Sequence, residues 1–239
     1  MEIVQPYARI INPFEDNLQD LDKEFLSLNR YLELQILHCE YCARVSHRSE
    51  DRITHGSALK LLQFIVMNKG DFSVIEHGGF SVEFLVDRGI THEIVRHRLF
   101  SYTQESTRFV NYEKKMPPKF IEPYDSSDEG YVPQSTEILW HEAIDTAEEK
   151  YRELVRTGVP PQIARSVFPN ALASKIVMTG NFRNWRHFLL MRTSKEAHPQ
   201  MRQVTIPLLK ELQELEPIAW LFNDIQPESS QAQNMRLMR

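Results

Sequence analysis

The hydrophobic pattern changes period several times along the chain, and each change marks an element. From Tyr31 to Arg44, the apolar positions Leu34, Leu37 and Tyr41 recur three and four residues apart, the spacing that gathers side chains on one face of a helix. That face is expected to point inward. A second helix is predicted over Ser57 to Asn68 with Leu59, Leu62 and Val66 on its buried side, and Gly70 beyond its end supplies a left-handed stop. Phe80, Val82, Phe84 and Val86 then alternate with Ser81, Glu83 and Leu85, a period of two that predicts a strand with one buried face. Asp87, Arg88 and Gly89 turn the chain, Ile90 to Val95 reads as a short helix, and Ser106 to Tyr112 alternates again as a returning strand.

Pro117, Pro118, Pro123 and Pro133, with Asp125 to Gly130 among them, predict a long polar surface loop and a candidate lid. Trp140, Ile144, Ala147, Tyr151 and Leu154 mark an amphipathic helix, stopped by Gly158 and Pro160, and Pro161 is placed to open the next one. Ala173 to Thr179 is β-rich. Asn181 can cap a helix that runs to Arg192 with Trp185, Phe188 and Leu189 inward, and a last helix from about Pro199 to Leu215 is expected to kink at Pro207. Helices mixed with alternating strands imply an α+β fold: an antiparallel twisted sheet flanked by helices, a single domain over residues 1–225 with an additional helical part. The polar residues 226–239 read as a flexible C-terminal tail.

Composition narrows the function classes. The 239 residues are 41% hydrophobic, enough to bury a sizeable core, and the net charge of −5 gives no global reason to bind nucleic acid, so any anion site must be local. There is neither a signal-like apolar segment nor a run long enough to span a bilayer, so a soluble, cytoplasmic protein with no membrane partner is expected. The two cysteines, Cys39 and Cys42, form a lone C-x-x-C on a helix and read as ordinary helix residues rather than a metal or redox pair; no metal is expected.

The densest polar cluster runs from Arg96-His97-Arg98 through Gln104, Glu105, Ser106 and Thr107 to Arg108. Guanidinium forks match phosphate oxygens in pairs, and hydroxyls can complete the ring, so the cluster is a candidate anion cradle; the competing reading is a solvated basic turn. Consecutive helical residues differ by about 100°, so Arg96 and Arg98 could not share a ligand on a helix, and the helix is expected to end near Val95. His92 and His97 look like a zinc-protease pair, but they are five apart where the metal needs four. Neither a P-loop nor G-x-G-x-x-G is present. A second cluster holds Asn181, Arg183, Arg186, His187 and Arg192; Arg183 and His187 share a helical face and can address one ligand, although a charged surface helix has the same appearance.

These residues resemble the flavin-dependent thymidylate synthases, whose signature is R-H-R, seven residues, then Ser, here Arg96-His97-Arg98 through Ser106. Four further segments agree in order: Ala43-Arg44-Val45-Ser46, Glu76-His77, Ala164-Arg165, and Asn181-x-Arg183 leading to Leu190-Met191-Arg192, so the likeness runs from about residue 40 to 205. The resemblance implies FAD contacts through Ser46, Ser73, Glu76, Arg96, His97, Arg98, Asn181, Arg183 and His187. For dUMP it implies Glu93, Gln104, Glu105, Ser106, Thr107, Arg108, Arg165 and Arg192, the last as the catalytic group. It also implies 5,10-methylenetetrahydrofolate as carbon donor, NADPH as reductant and a homotetramer with shared active sites.

Neither cysteine stands in the Pro-Cys-His-Gln context of the other thymidylate synthase family, so no covalent cysteine mechanism is expected. Asp71 stands where some family members carry a histidine beside flavin and folate, which leaves the folate and NADPH contacts unassigned. Two rival readings follow from the same residues: a single-strand binder stacking bases on Tyr102, Phe109 and Tyr112, which the acidic balance opposes, and a flavoprotein oxidase with a degenerate folate site.

Overall fold

A computed structural model describes residues 1–13, 27–114, 116–123 and 137–228. The predicted loop around Asp125 and most of the predicted tail lie outside the described residues. The elements are β1 (Glu2–Ile3), β2 (Tyr7–Ile10), α1 (Leu28–Val45), α2 (Ser57–Gln63), β3 (Gly79–Asp87), α3 (Arg88–Ile94), β4 (Ser101–Gln104), β5 (Lys119–Phe120), α4 (Glu137–Arg156), α5 (Pro161–Ala164), β6 (Ala173–Asn181), α6 (Phe182–Arg192) and α7 (Pro199–Glu214). A four-stranded antiparallel sheet has the order β2-β3-β6-β4, and β1 pairs with β5 in a small parallel ladder with Ile3 opposite Phe120. The fold class is thus α+β.

The chain divides into two compact, interleaved units: residues 1–7, 84–97 and 102–177 form the first, and residues 8–83, 98–101 and 178–239 the second. The first unit has its core in Tyr112, Phe120, Ile144, Tyr151, Ala164 and Leu172, where α4 lays its apolar stripe. Tyr151 stacks on Phe168 at 4.4 Å between ring centroids, and its hydroxyl accepts from the Tyr112 amide at 3.3 Å. Burying a ring of this size with its polar tip satisfied combines a large apolar gain with no stranded donor.

In the second unit α1 and α6 both pack on the 3₁₀ segment Phe72–His77. Trp185 stacks on Phe80 at 4.9 Å and donates its indole N–H to the Phe80 carbonyl at 3.0 Å. Arg186, fully buried, is matched by the Asp224 carboxylate at 2.7 and 2.9 Å and by the Leu221 carbonyl. Neutralisation by a forked pair makes burial of that charge tolerable.

Several predicted elements are observed: the alternation of β3, the Asn181 cap of α6, whose side chain accepts from the Asn184 amide at 2.8 Å, and α7 with Pro207 inside. The turn expected at Asp87, Arg88 and Gly89 is instead the start of α3, because Asp87 ends β3 and caps that helix directly. Helix α2 gives way to a π turn over Phe64–Asn68 before Gly70, whose φ is 73°. Two further expectations are corrected. The inward face of α1 is Leu32, Ile36, Cys39, Glu40 and Ala43, whereas Leu34, Leu37 and Tyr41 are exposed. The reason lies in a buried ion pair: Arg44 meets Glu40 at 2.7 Å and Ser57 donates to the same carboxylate at 2.6 Å, so charged residues occupy the core side of the helix. Residues 106–112 form turns rather than a strand, because the Ser106 hydroxyl accepts from the Arg108 amide and the Ser106 carbonyl accepts from the amides of Phe109 and Val110. Local bonds of this kind compete with a ladder, and β4 takes the strand position at residues 101–104 instead.

Candidate functional site

The residues singled out in the sequence fall into two sets, one in each unit. In the first unit, Asp87 caps α3 by accepting from the Ile90 amide at 2.7 Å, and the helix ends at Ile94, as the 100° argument requires of the triplet that follows. Tyr102 fixes that exit: its hydroxyl lies 2.9 Å from the Ile94 carbonyl and 2.7 Å from the His97 carbonyl. Arg96 is exposed, and Glu93 and His97 are half-buried. The Gln104 amide donates to the hydroxyls of Thr91 and Ser174, at 3.0 Å each, so its side chain is held in one orientation.

The following residues gather around a cavity of about 430 Å³ lined by Arg88, Thr107, Gln162, Arg165, Ser166 and the 168–172 segment. Thr107 is 5% exposed, and its hydroxyl accepts from the Arg165 guanidinium at 2.7 Å. Arg108 reaches Gln162 at 3.4 Å, and the Arg88 amide donates to the carbonyls of Asn170 and Leu172, which fixes the wall that carries Arg88. Two guanidiniums and no carboxylate line the cavity among the described residues, so its field favours an anion, and the charge-assisted donors suit phosphate oxygens. Glu105 is not among the lining residues and lies by Tyr112: burial and then the neighbouring Glu105 carboxylate raise that phenol above its ordinary pKa. Arg88 and Gln162 line this cavity, although the sequence had not singled out either as a site residue.

The second unit holds Ser46, Ser73, Glu76, Arg98, Asn181, Arg183, His187 and Arg192. Glu76 pairs with the Arg183 guanidinium, and both side chains stay half in solvent, at 43% and 44% exposure. Arg183 and His187 share a face of α6, one turn apart, and burial lowers the pKa of His187, favouring its neutral form. The Ser73 hydroxyl donates to Asp71 at 2.7 Å, which uses that serine's proton and leaves Ser73 an acceptor. Ser46 caps the end of α1 by donating to the Ala43 carbonyl at 2.8 Å.

The loop bearing Arg98 is anchored on α6. Asn184 donates to the Leu99 carbonyl at 2.9 Å, and Phe100 meets Trp185 edge-on at 5.0 Å. Gly180 is required there, since a Cβ would stand 2.3 Å from the Phe100 ring. Arg192 lies in the last turn of α6, and its carbonyl accepts from Thr205 of α7 at 2.9 Å. The guanidiniums of Arg98 and Arg183 and the His187 imidazole give this unit a set of N–H donors that fits a flavin nucleotide, whose pyrophosphate and ring oxygens are acceptors.

A family profile described as thymidylate synthase complementing protein matches residues 28–218. The chain is 36% identical over 173 residues to the flavin-dependent thymidylate synthase of Corynebacterium efficiens, covering 69% of this chain and 68% of that one. It is 35% identical over 173 residues to that of Corynebacterium glutamicum, with 69% and 68% covered, and 34% identical over 177 residues to that of Mycolicibacterium vanbaalenii, with 67% of each covered. The chain belongs to the thymidylate synthase complementing family, that of the flavin-dependent thymidylate synthases.

Proposed function

We propose that the Arg88–Arg165 cavity seats the phosphate of dUMP and that the Glu76–Arg183 face of the second unit receives FAD. The protein is a flavin-dependent thymidylate synthase, which converts dUMP to dTMP with methylenetetrahydrofolate as carbon donor and FAD reduced by NADPH as hydride source. The observation that carries the site assignment is the Thr107–Arg165 contact at 2.7 Å, which holds a guanidinium in place at an acid-free cavity before any ligand arrives.

When bound, FAD supplies the two electrons that complete the methyl group. The chain's own groups bind and orient. Arg165, with Arg88 and Arg108 at its sides, clamps the phosphate, and Ser106 contributes a hydroxyl. Arg192 is assigned to the pyrimidine carbonyls, where a fixed positive charge stabilises the negative charge that grows as carbon 5 becomes nucleophilic. Such activation asks for no covalent bond to protein. Cys39 is poorly suited to one, since it is buried and burial pushes its thiol up to about 12.

The active enzyme is proposed to be a homotetramer whose sites draw on several subunits. Leu34, Leu37, Tyr41 and Val45, which stay exposed along α1, support a subunit contact on that helix. No described helix is long and apolar enough to cross a membrane. The test is tritium release from carbon-5-labelled dUMP by the yellow purified protein. Release that requires both NADPH and methylenetetrahydrofolate supports the reading; flavin-bound protein that consumes NADPH without releasing tritium defeats it.

A further inference from the structure

The C-x-x-C pair of α1 splits in three dimensions. Cys39 faces the core, fully buried, with its sulfur close to Gly78. Cys42 is turned about 300° around the helix from Cys39 and comes instead onto the side of His38, one turn earlier. Their sulfur and Nε2 atoms stand 3.8 Å apart. His77, the last residue of the Phe72–His77 segment packed on α1, brings a second imidazole, with its ring edge-on to His38 at 6.2 Å between centroids and 81° between planes. One ligand atom from each of the three residues lies within 4.8 Å of the other two.

We propose that His38, Cys42 and His77 form a binding site for a divalent transition-metal ion of the zinc class. Around tetrahedral zinc, with Zn–S of about 2.3 Å and Zn–N of about 2.0 Å, a sulfur and a nitrogen ligand sit about 3.6 Å apart. The Cys42–His38 pair already has nearly that separation. The remaining contraction falls to His77, an exposed side chain that can rotate without repacking the core. A thiolate with two imidazoles selects zinc, cobalt or nickel over magnesium and calcium, which require oxygen ligands. Three protein ligands leave a fourth position for water. Coordination releases the Cys42 proton and ties α1 to the segment that carries Glu76, the partner of Arg183.

Cobalt is the probe. Flavin-loaded enzyme is treated with a chelator, kept reduced with a phosphine and titrated with Co²⁺, recording difference spectra and the thermal midpoint. One equivalent is expected to bind with the intense visible bands of a four-coordinate ion and a near-ultraviolet thiolate band, and Zn²⁺ should displace it and raise the midpoint. Cys42→Ser should abolish the thiolate band and weaken binding by more than the roughly 10–100-fold that loss of an outer-shell partner costs. His77→Gln should weaken it likewise, and Cys39→Ala should retain the spectrum. The weak bands of six-coordinate cobalt, no binding at equimolar metal, or a thiolate band that survives Cys42→Ser would overturn the proposal.

Discussion

The two proposed anion sites, one in each unit, are built in opposite ways. In the first, Arg165 is fixed by a buried threonine hydroxyl, Gln104 by two hydroxyls, and the cavity wall by backbone bonds from Arg88. In the second, Arg183 is held by Glu76 in a half-exposed ion pair, a contact worth little in water and easily exchanged for a ligand. A phosphate monoester is small and doubly charged, so its binding improves with donors whose positions are settled in advance. A flavin dinucleotide is long and flat, and an open face with exchangeable partners suits it better. On this reading, rigidity is concentrated where charge recognition is most local.

The sharpest break in that comparison is Arg192→Ala. Arg192 belongs to the second unit, yet it is assigned to the nucleotide rather than the flavin. Its loss should lower the rate of dTMP formation about 10²–10³-fold, the usual cost of removing a group aimed at developing negative charge, while leaving the flavin-to-protein absorbance ratio unchanged. A parallel loss of flavin would move Arg192 to the other set.

Arg165→Ala removes the clamped guanidinium and should raise KM for dUMP about 10–100-fold, equivalent to one charge-assisted bond, with flavin content unaltered. Thr107→Val keeps the shape and removes the acceptor that aims Arg165. Its expected effect is smaller, about 5–10-fold in KM, in line with one ordinary hydrogen bond. If valine were as harmful as loss of the arginine, Thr107 would have to touch the phosphate itself. Steady-state kinetics against dUMP separate these cases.

How much of this was legible in the sequence follows from which forces act locally. The alternation of Phe80 to Val86 and the Asn181 cap were readable because a strand face and a helix end are each decided by residues within a few positions. The register of α1 was not. Its buried side carries Glu40 and Arg44, acceptable there only because they neutralise each other, and its exposed side carries Leu34, Leu37 and Tyr41. Hydrophobic spacing assumes the reverse. The end of α3 at the triplet was readable from helix geometry, whereas Arg88 and Gln162 were not, because the chain returns to form their cavity from segments some seventy residues apart. Arg44, inside the Ala43–Ser46 segment that carried part of the resemblance, is occupied by Glu40, so this position has a structural partner.

The mildest probe of the comparison is pH, through His187. Burial lowers its pKa below the ordinary value of about 6.5, so the unfolded chain takes up a proton at a higher pH than the folded protein does. Between the two pKa values the unfolded state binds more protons, and stability therefore rises with pH through that window. The sign is that of a neutral histidine disfavoured when charged: the contribution is intact above about pH 6.5 and is lost progressively as the solution becomes more acidic. His187→Gln should flatten the pH dependence of the thermal midpoint below that point without shifting the midpoint at neutral pH by more than a degree or two. Since His187 lies one helical turn from Arg183, the same substitution should weaken flavin retention, but less than Arg183→Ala, which removes the charge as well as a donor. Measuring both slopes in one set of melts, with and without added FAD, asks whether the open face of the second unit senses protons and flavin through one side chain. An unaltered slope together with unaltered flavin retention would remove His187 from that face's working groups and leave Arg183 as the anchor.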